Sequence, residues 1–146
     1  MRRSVMACGL LENAGTDKIQ VKMDNEVQQA TLLCQTALEM YSKGRLADAI
    51  DTWLKATQID PSCSEAKMRL GYALDEKQGI LDELQELSQQ VSQSPHDAAA
   101  HYRIAYLMFT LGHDDEARAA WLRVMQVDDG TWAKSSRKML RKHLAG

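Results

Sequence analysis

Three arginines, Arg69, Arg103 and Arg137, stand 34 residues apart. A guanidinium fork grips a carboxylate through two parallel hydrogen bonds. An array of three could therefore read acidic side chains or a C-terminal carboxylate on a partner, provided the fold sets them side by side. The competing use is internal, each arginine pairing with a carboxylate of a neighbouring helix such as Asp75 or Glu65. The five Tyr and Phe residues, Tyr41, Tyr72, Tyr102, Tyr106 and Phe109, pose the same choice, because rigid rings serve binding surfaces and helix-packing cores alike. Lys134, Arg137, Lys138, Arg141 and Lys142 recur three or four residues apart near the C-terminus. They could meet an acidic partner, nucleic acid or anionic lipid. A solvated face is the expectation, since cations also favour a helix C-terminus, and nucleic acid is not an expected partner.

Catalytic patterns are missing from the sequence. His96, His101, His113 and His143 form no H-E-x-x-H or similar arrangement, and neither a glycine-rich phosphate loop nor a G-x-S-x-G elbow occurs. His96 with Asp97 reads as a helix-cap pair. Asp114-Asp115-Glu116 and Asp128-Asp129 lack the alternating oxygen ligands of a calcium loop. Cys8, Cys34 and Cys63 make no C-x-x-C pair and have no histidine at zinc-ligand spacing, so they read as free thiols in a reducing, cytoplasmic setting. The expectation is a protein that is not an enzyme and needs neither cofactor nor metal. The apolar run before Gly9 is too short for a signal peptide, and no 18-residue apolar stretch suggests a transmembrane segment.

Positioning side chains at a 34-residue interval requires a repeated element. Pro61 and Pro95, Tyr72 and Tyr106, and Ala66 and Ala100 share that spacing. At twice the interval Gly44 matches Gly112, Ala49 matches Ala117, and Trp53 matches Trp121. Composition points to helices: 45% of residues are hydrophobic, there are only two prolines, and unbranched side chains abound. The net charge of −2 is unevenly spread. Residues 30–131 hold 9 basic and 16 acidic side chains, a sum of −7, while residues 132–146 hold five basic and no acidic ones.

Residues 44–61, GRLADAIDTWLKATQIDP, and 98–128, AAAHYRIAYLMFTLGHDDEARAAWLRVMQVD, resemble the tetratricopeptide repeat (TPR) family. In that pattern Gly44 and Gly112 open the turn, Ala49 and Ala117 are the small residues at the helix crossing, and Trp53 and Trp121 are the large aromatics. The middle copy departs from it, with Glu83 where a small residue belongs and Leu87 where an aromatic belongs. A one-residue slip making Gly79 the turn glycine would repair the register.

The expected fold is all-α, a right-handed superhelical stack of three antiparallel helical hairpins plus a C-terminal capping helix. Residues 1–25 read as a flexible tail. Residues 26–130 hold three repeats, at about 30–61, 64–95 and 98–129, and residues 131–146 a basic capping helix. Helices are expected near 26–42, 46–59, 64–77, 80–93, 97–111, 114–127 and 131–144. Ser62-x-x-Glu65 suggests a capping box and Ser94 a cap ahead of Pro95. The resemblance implies a concave groove for a partner peptide, lined by Tyr41, Met68, Arg69, Tyr72, Tyr102, Arg103, Tyr106, Phe109 and Arg137. It also implies an adaptor, scaffold or chaperone-like role. The carboxylate clamp of some relatives is not visible, because Cys34 and Leu38 occupy two of its positions. Self-assembly into a homo-oligomer through the repeats is the alternative.

Overall fold

The computed structural model describes residues 2–144, with side chains from residue 15 onward. It is an all-α, TPR-like helical-hairpin solenoid of six helices, with no strand among the described residues. These are α1 (Arg2–Ser42), α2 (Leu46–Ile59), α3 (Ser64–Gln93), α4 (Ala98–Thr110), α5 (Asp114–Val127) and α6 (Thr131–His143). Each helix packs against the next one along the chain. Close approach is possible because alanines sit at the crossings. Ala30, Ala37, Ala49, Ala56, Ala105 and Ala117 are fully buried, and the large rings of Trp53 and Trp121 fill the space beside them.

The turns of the α1–α2 and α4–α5 hairpins are built alike. Gly44 and Gly112 have φ of 78° and 81°, a left-handed conformation in which a side chain costs about 1–2 kcal/mol. After each, the next amide reaches back five residues: Arg45 N–H donates to Met40 C=O and His113 N–H to Met108 C=O, both at 2.9 Å. These bonds satisfy carbonyls that the helix end would otherwise orphan. Arg45 ties the two turns together. Its guanidinium donates to Asp48 at 2.9 Å, to Asp114 at 2.7 Å and to Phe109 C=O at 3.3 Å, and it lies 4.7 Å from the Phe109 ring centroid.

The middle of the chain differs from the sequence expectation. Residues 64–93 form one 30-residue helix, not two helices turning at Gly79. Buried Ala66, Ala73, Ile80 and Leu84, with half-buried Leu70 and Leu87, keep a single helical phase across that glycine. A turn there would swing Ile80 and Leu84 off the core, at a cost well above the roughly 1 kcal/mol that a helical glycine carries.

The N-terminus differs as well, since residues expected as a tail belong to the 41-residue α1. Ile19, Met23 and Val27 extend the face that Ala30, Cys34 and Ala37 bury further along, a stripe whose start lies in the presumed tail. All three are exposed. Two expected caps are replaced. Asp97, not Ser94, caps α4 by accepting from Ala100 N–H at 3.1 Å, and Ser62 bonds to Asp60 while α3 begins at Ser64. Cys34 and Cys63 are free thiols, and burial with the neighbouring Cys63 pushes Cys34 up to about 11. The Cys8 thiol lies outside the described side chains.

Candidate functional site

The C-terminal end of α1, the middle of α3 and the length of α4 face one another across two adjoining clefts. One, of about 300 Å³, is lined by residues including Tyr41, Glu76, Ile80, Arg103 and Tyr106. The other, of about 230 Å³, is lined by Tyr41, Trp53, Arg69, Tyr72, Ala73 and Glu76. Tyr41 and Glu76 belong to both. The Tyr41 hydroxyl donates to Glu76 Oε2 at 2.9 Å, and that bond raises the phenol's pKa above its usual value.

Local sequence explains why these side chains converge. Arg69, Tyr72, Ala73, Glu76 and Ile80 stand at i, i+3, i+4, i+7 and i+11 on the unbroken α3, so they share one flank of it. Arg103, Tyr106, Leu107 and Thr110 do the same on α4. Tyr41 is delivered by the last turn of α1, which Gly44 ends. Trp53, buried on α2, lies under Tyr41 with ring centroids 6.1 Å apart.

The site residues expected from sequence have different fates. Five of them, Tyr41, Arg69, Tyr72, Arg103 and Tyr106, line the clefts. Tyr72 is 68% exposed and Tyr41 44%. Met68 is exposed on α3 but does not border either cleft. Tyr102 is half-buried against Trp132, with centroids 5.3 Å apart, and burial raises its pKa. Phe109 lies away from the two clefts. It is 3% exposed and packs on Trp121 and His143, with centroids 5.9 and 4.6 Å away, so it is chiefly a core residue, with an edge on a separate hollow beside Gly44 and His143. Arg137 is exposed on α6, away from the clefts, with no ion pair among the described residues.

The arginines do not form a free ladder. Arg103 Nε and Nη2 donate to both oxygens of Glu83, at 2.6 and 3.0 Å, which holds Glu83 below the usual carboxylate range and raises Arg103. Arg69 Nε donates to Glu65 at 3.2 Å. Arg103 thus pairs with a carboxylate of a neighbouring helix, whereas the partner of Arg69 is one turn away on its own helix. Glu76 and Trp53 were missed as lining residues. The signal for Glu76 was its place one turn after Tyr72.

Chemically the clefts are lined by phenol rings, a carboxylate, two guanidinium groups and apolar side chains. Among the described residues no group of three or more His, Cys, Asp or Glu could hold a metal ion, and no helix is long and apolar enough to cross a membrane. The exposed Lys134, Arg137, Lys138, Arg141 and Lys142 all lie outside the two clefts, and Lys142 borders a further hollow with Lys43, Tyr106, Phe109, Met139 and His143. Burial, then Lys142 and Arg45, lowers the His143 pKa.

No family model matches the chain, and no curated protein matches it. Among solved structures, it is similar to the first TPR of Spaghetti (RPAP3) bound to the HSP90 peptide SRMEEVD, with 20% identity, 82% of this chain and 95% of that chain covered, and a TM-score of 0.40.

Proposed function

We propose that this protein is a peptide-binding module that holds a segment of another protein in the paired clefts between α1, α3 and α4, acting as an adaptor, scaffold or chaperone-like factor. The observation that carries the reading is the set of tyrosines left open to solvent around one concavity, Tyr41, Tyr72 and Tyr106. A monomer has little reason to keep three large rings uncovered around one hollow, whereas buried aromatic anchors dominate the energetics of most interfaces. A cytoplasmic, reducing setting fits the free thiols Cys34 and Cys63.

The test is selection of a random decapeptide library on the immobilised full chain, followed by titration calorimetry of the winners. Tyr72→Ala and Tyr106→Ala should each weaken a selected peptide about tenfold or more, the range of an interface anchor. Tyr72 is 68% exposed, so Tyr72→Ala should keep the wild-type melting curve; Tyr106 is 36% exposed, and the melting curve of Tyr106→Ala serves to separate lost binding from lost stability. Failure to enrich any peptide, or wild-type affinity in both variants, ends the reading.

A second reading has its own observation. Ile19, Met23, Val27 and Leu32 are all exposed on α1, which favours self-assembly through that helix. Light scattering over a concentration series decides it, because a constant monomer mass removes self-assembly and leaves the clefts untouched.

A further inference from the structure

We infer that the position beside Glu76 receives a cationic side chain, an arginine or lysine of the bound segment. This deepens the peptide-binding reading and rests on it. Its basis is the balance of charge inside the clefts. Two of the lining residues are arginines, yet each is already met by a carboxylate, Arg69 by Glu65 and Arg103 by both oxygens of Glu83. Glu76 is the remaining charged lining residue of the two clefts. Its partner on Oε2 is a neutral phenol, and Oε1 has no partner among the described residues. The unbalanced charge of this concavity is therefore one negative carboxylate.

The surroundings of Glu76 suit an organic cation. Tyr41 and Tyr72 border the same cleft, and Trp53 lies beneath Tyr41. The faces of aromatic rings attract a guanidinium or ammonium, and they do so more strongly where water is partly excluded. Tyr41 also holds the carboxylate in place through its hydroxyl, so little conformational freedom is lost when a cation arrives. At longer range the sum of −7 over residues 30–131 draws a basic segment in and repels an acidic one. A carboxylate ligand at Arg69 or Arg103 would instead have to share the guanidinium with Glu65 or Glu83, whose charge opposes it.

The experiment repeats the decapeptide selection on wild type and on Glu76→Gln, which preserves an acceptor for the Tyr41 hydroxyl and should leave the melting curve unchanged. On wild type, Arg or Lys should be enriched at one position of the winners, and on E76Q that enrichment should disappear. For one winning peptide, changing its basic residue to Gln should weaken wild-type binding about tenfold, E76Q should weaken the unchanged peptide by a similar factor, and both changes together should cost no more than either alone. Added salt should weaken the wild-type complex and leave the doubly neutral pair nearly unaffected. Winners that depend on Tyr72 but lack a basic preference, or bind E76Q equally, overturn this inference and leave the peptide-binding reading standing. Acidic winners that require Arg103 overturn it too. A selection without winners overturns both.

Discussion

Gly44 and Gly112 on one hand and Gly79 on the other occupy comparable places in the sequence pattern and lead to opposite structures. At the first two the chain reverses, at left-handed φ, and the reversal is reinforced by an amide reaching back five residues and by Arg45 bridging the turns. At Gly79 the helix runs straight on, with open space where a Cβ would stand. What separates them is the stripe of apolar residues on either side. In α4–α5 the apolar face is split between two helices that bury it against each other, with Phe109 on Trp121. In α3 one stripe continues in phase through the glycine. A glycine permits a turn, and burial decides whether the turn is made.

The largest expected effect tests the unequal cores. Trp121 is fully buried in the second hairpin, and Trp121→Ala should destabilise the protein by about 3–5 kcal/mol in urea unfolding. The residue expected to be its counterpart in the middle of the chain, half-buried Leu87, should cost only about 1–2 kcal/mol as Leu87→Ala. Equal losses would mean that α3 is as deeply anchored as the hairpins.

Smaller effects of opposite sign should separate the glycines. Gly44→Ala and Gly112→Ala force a side chain into the left-handed region and should each cost about 1–2 kcal/mol. The new Cβ would meet neighbours only at ordinary contact distance, 3.7 Å at Gly44 and 3.4 Å at Gly112, so the backbone strain sets both costs and they should be similar. Gly79→Ala should stabilise by about 0.5–1 kcal/mol, since the position is helical and roomy. A loss at Gly79 would mean that the chain turns there.

The smallest effect concerns pH. His143 packs on Phe109 at the end of the second hairpin, and its pKa is lowered by burial and by nearby cations. The unfolded chain therefore binds this proton more readily than the folded one. The stability associated with the neutral ring is present above the ordinary histidine pKa and is lost as pH falls through it toward the lower folded value. The melting temperature should drop modestly over that interval in wild type and less in His143→Phe, as followed by circular dichroism. An identical drop in both proteins would remove His143 as the cause.

The hairpins were legible in the sequence because they announce themselves by residue type. Gly, Ala and Trp recur at 68-residue spacing, and α2 and α5 span the residues expected of them. The continuous α3 was hidden by the same habit of reading. A repeat pattern assigns a turn wherever a glycine falls near its place, while the deciding quantity is the phase of Ala66, Ala73, Ile80 and Leu84. The start of α1 was missed for a related reason: Ile19, Met23 and Val27 carry a stripe too sparse to notice until Ala30, Cys34 and Ala37 show which face it continues. At the candidate site, position within a helix was readable but burial was not. Tyr72 and Phe109 look alike in a register, and only the packing of α5 and α6 places one in solvent and the other in the core. The pairing of Arg103 with Glu83 joins residues 20 positions apart on two helices, and no local spacing encodes it.

The unbroken α3 also acts as a ruler. With 1.5 Å of rise per residue, Tyr72 and Ile80 are separated by about 12 Å along a single stiff rod, whatever the two hairpins do. An extended chain advances about 3.3 Å per residue, so a segment lying along that rod would offer side chains roughly four residues apart to the two stations. A hinged middle unit could stretch or shrink this interval; a continuous one would fix the spacing that any segment bound along it has to match.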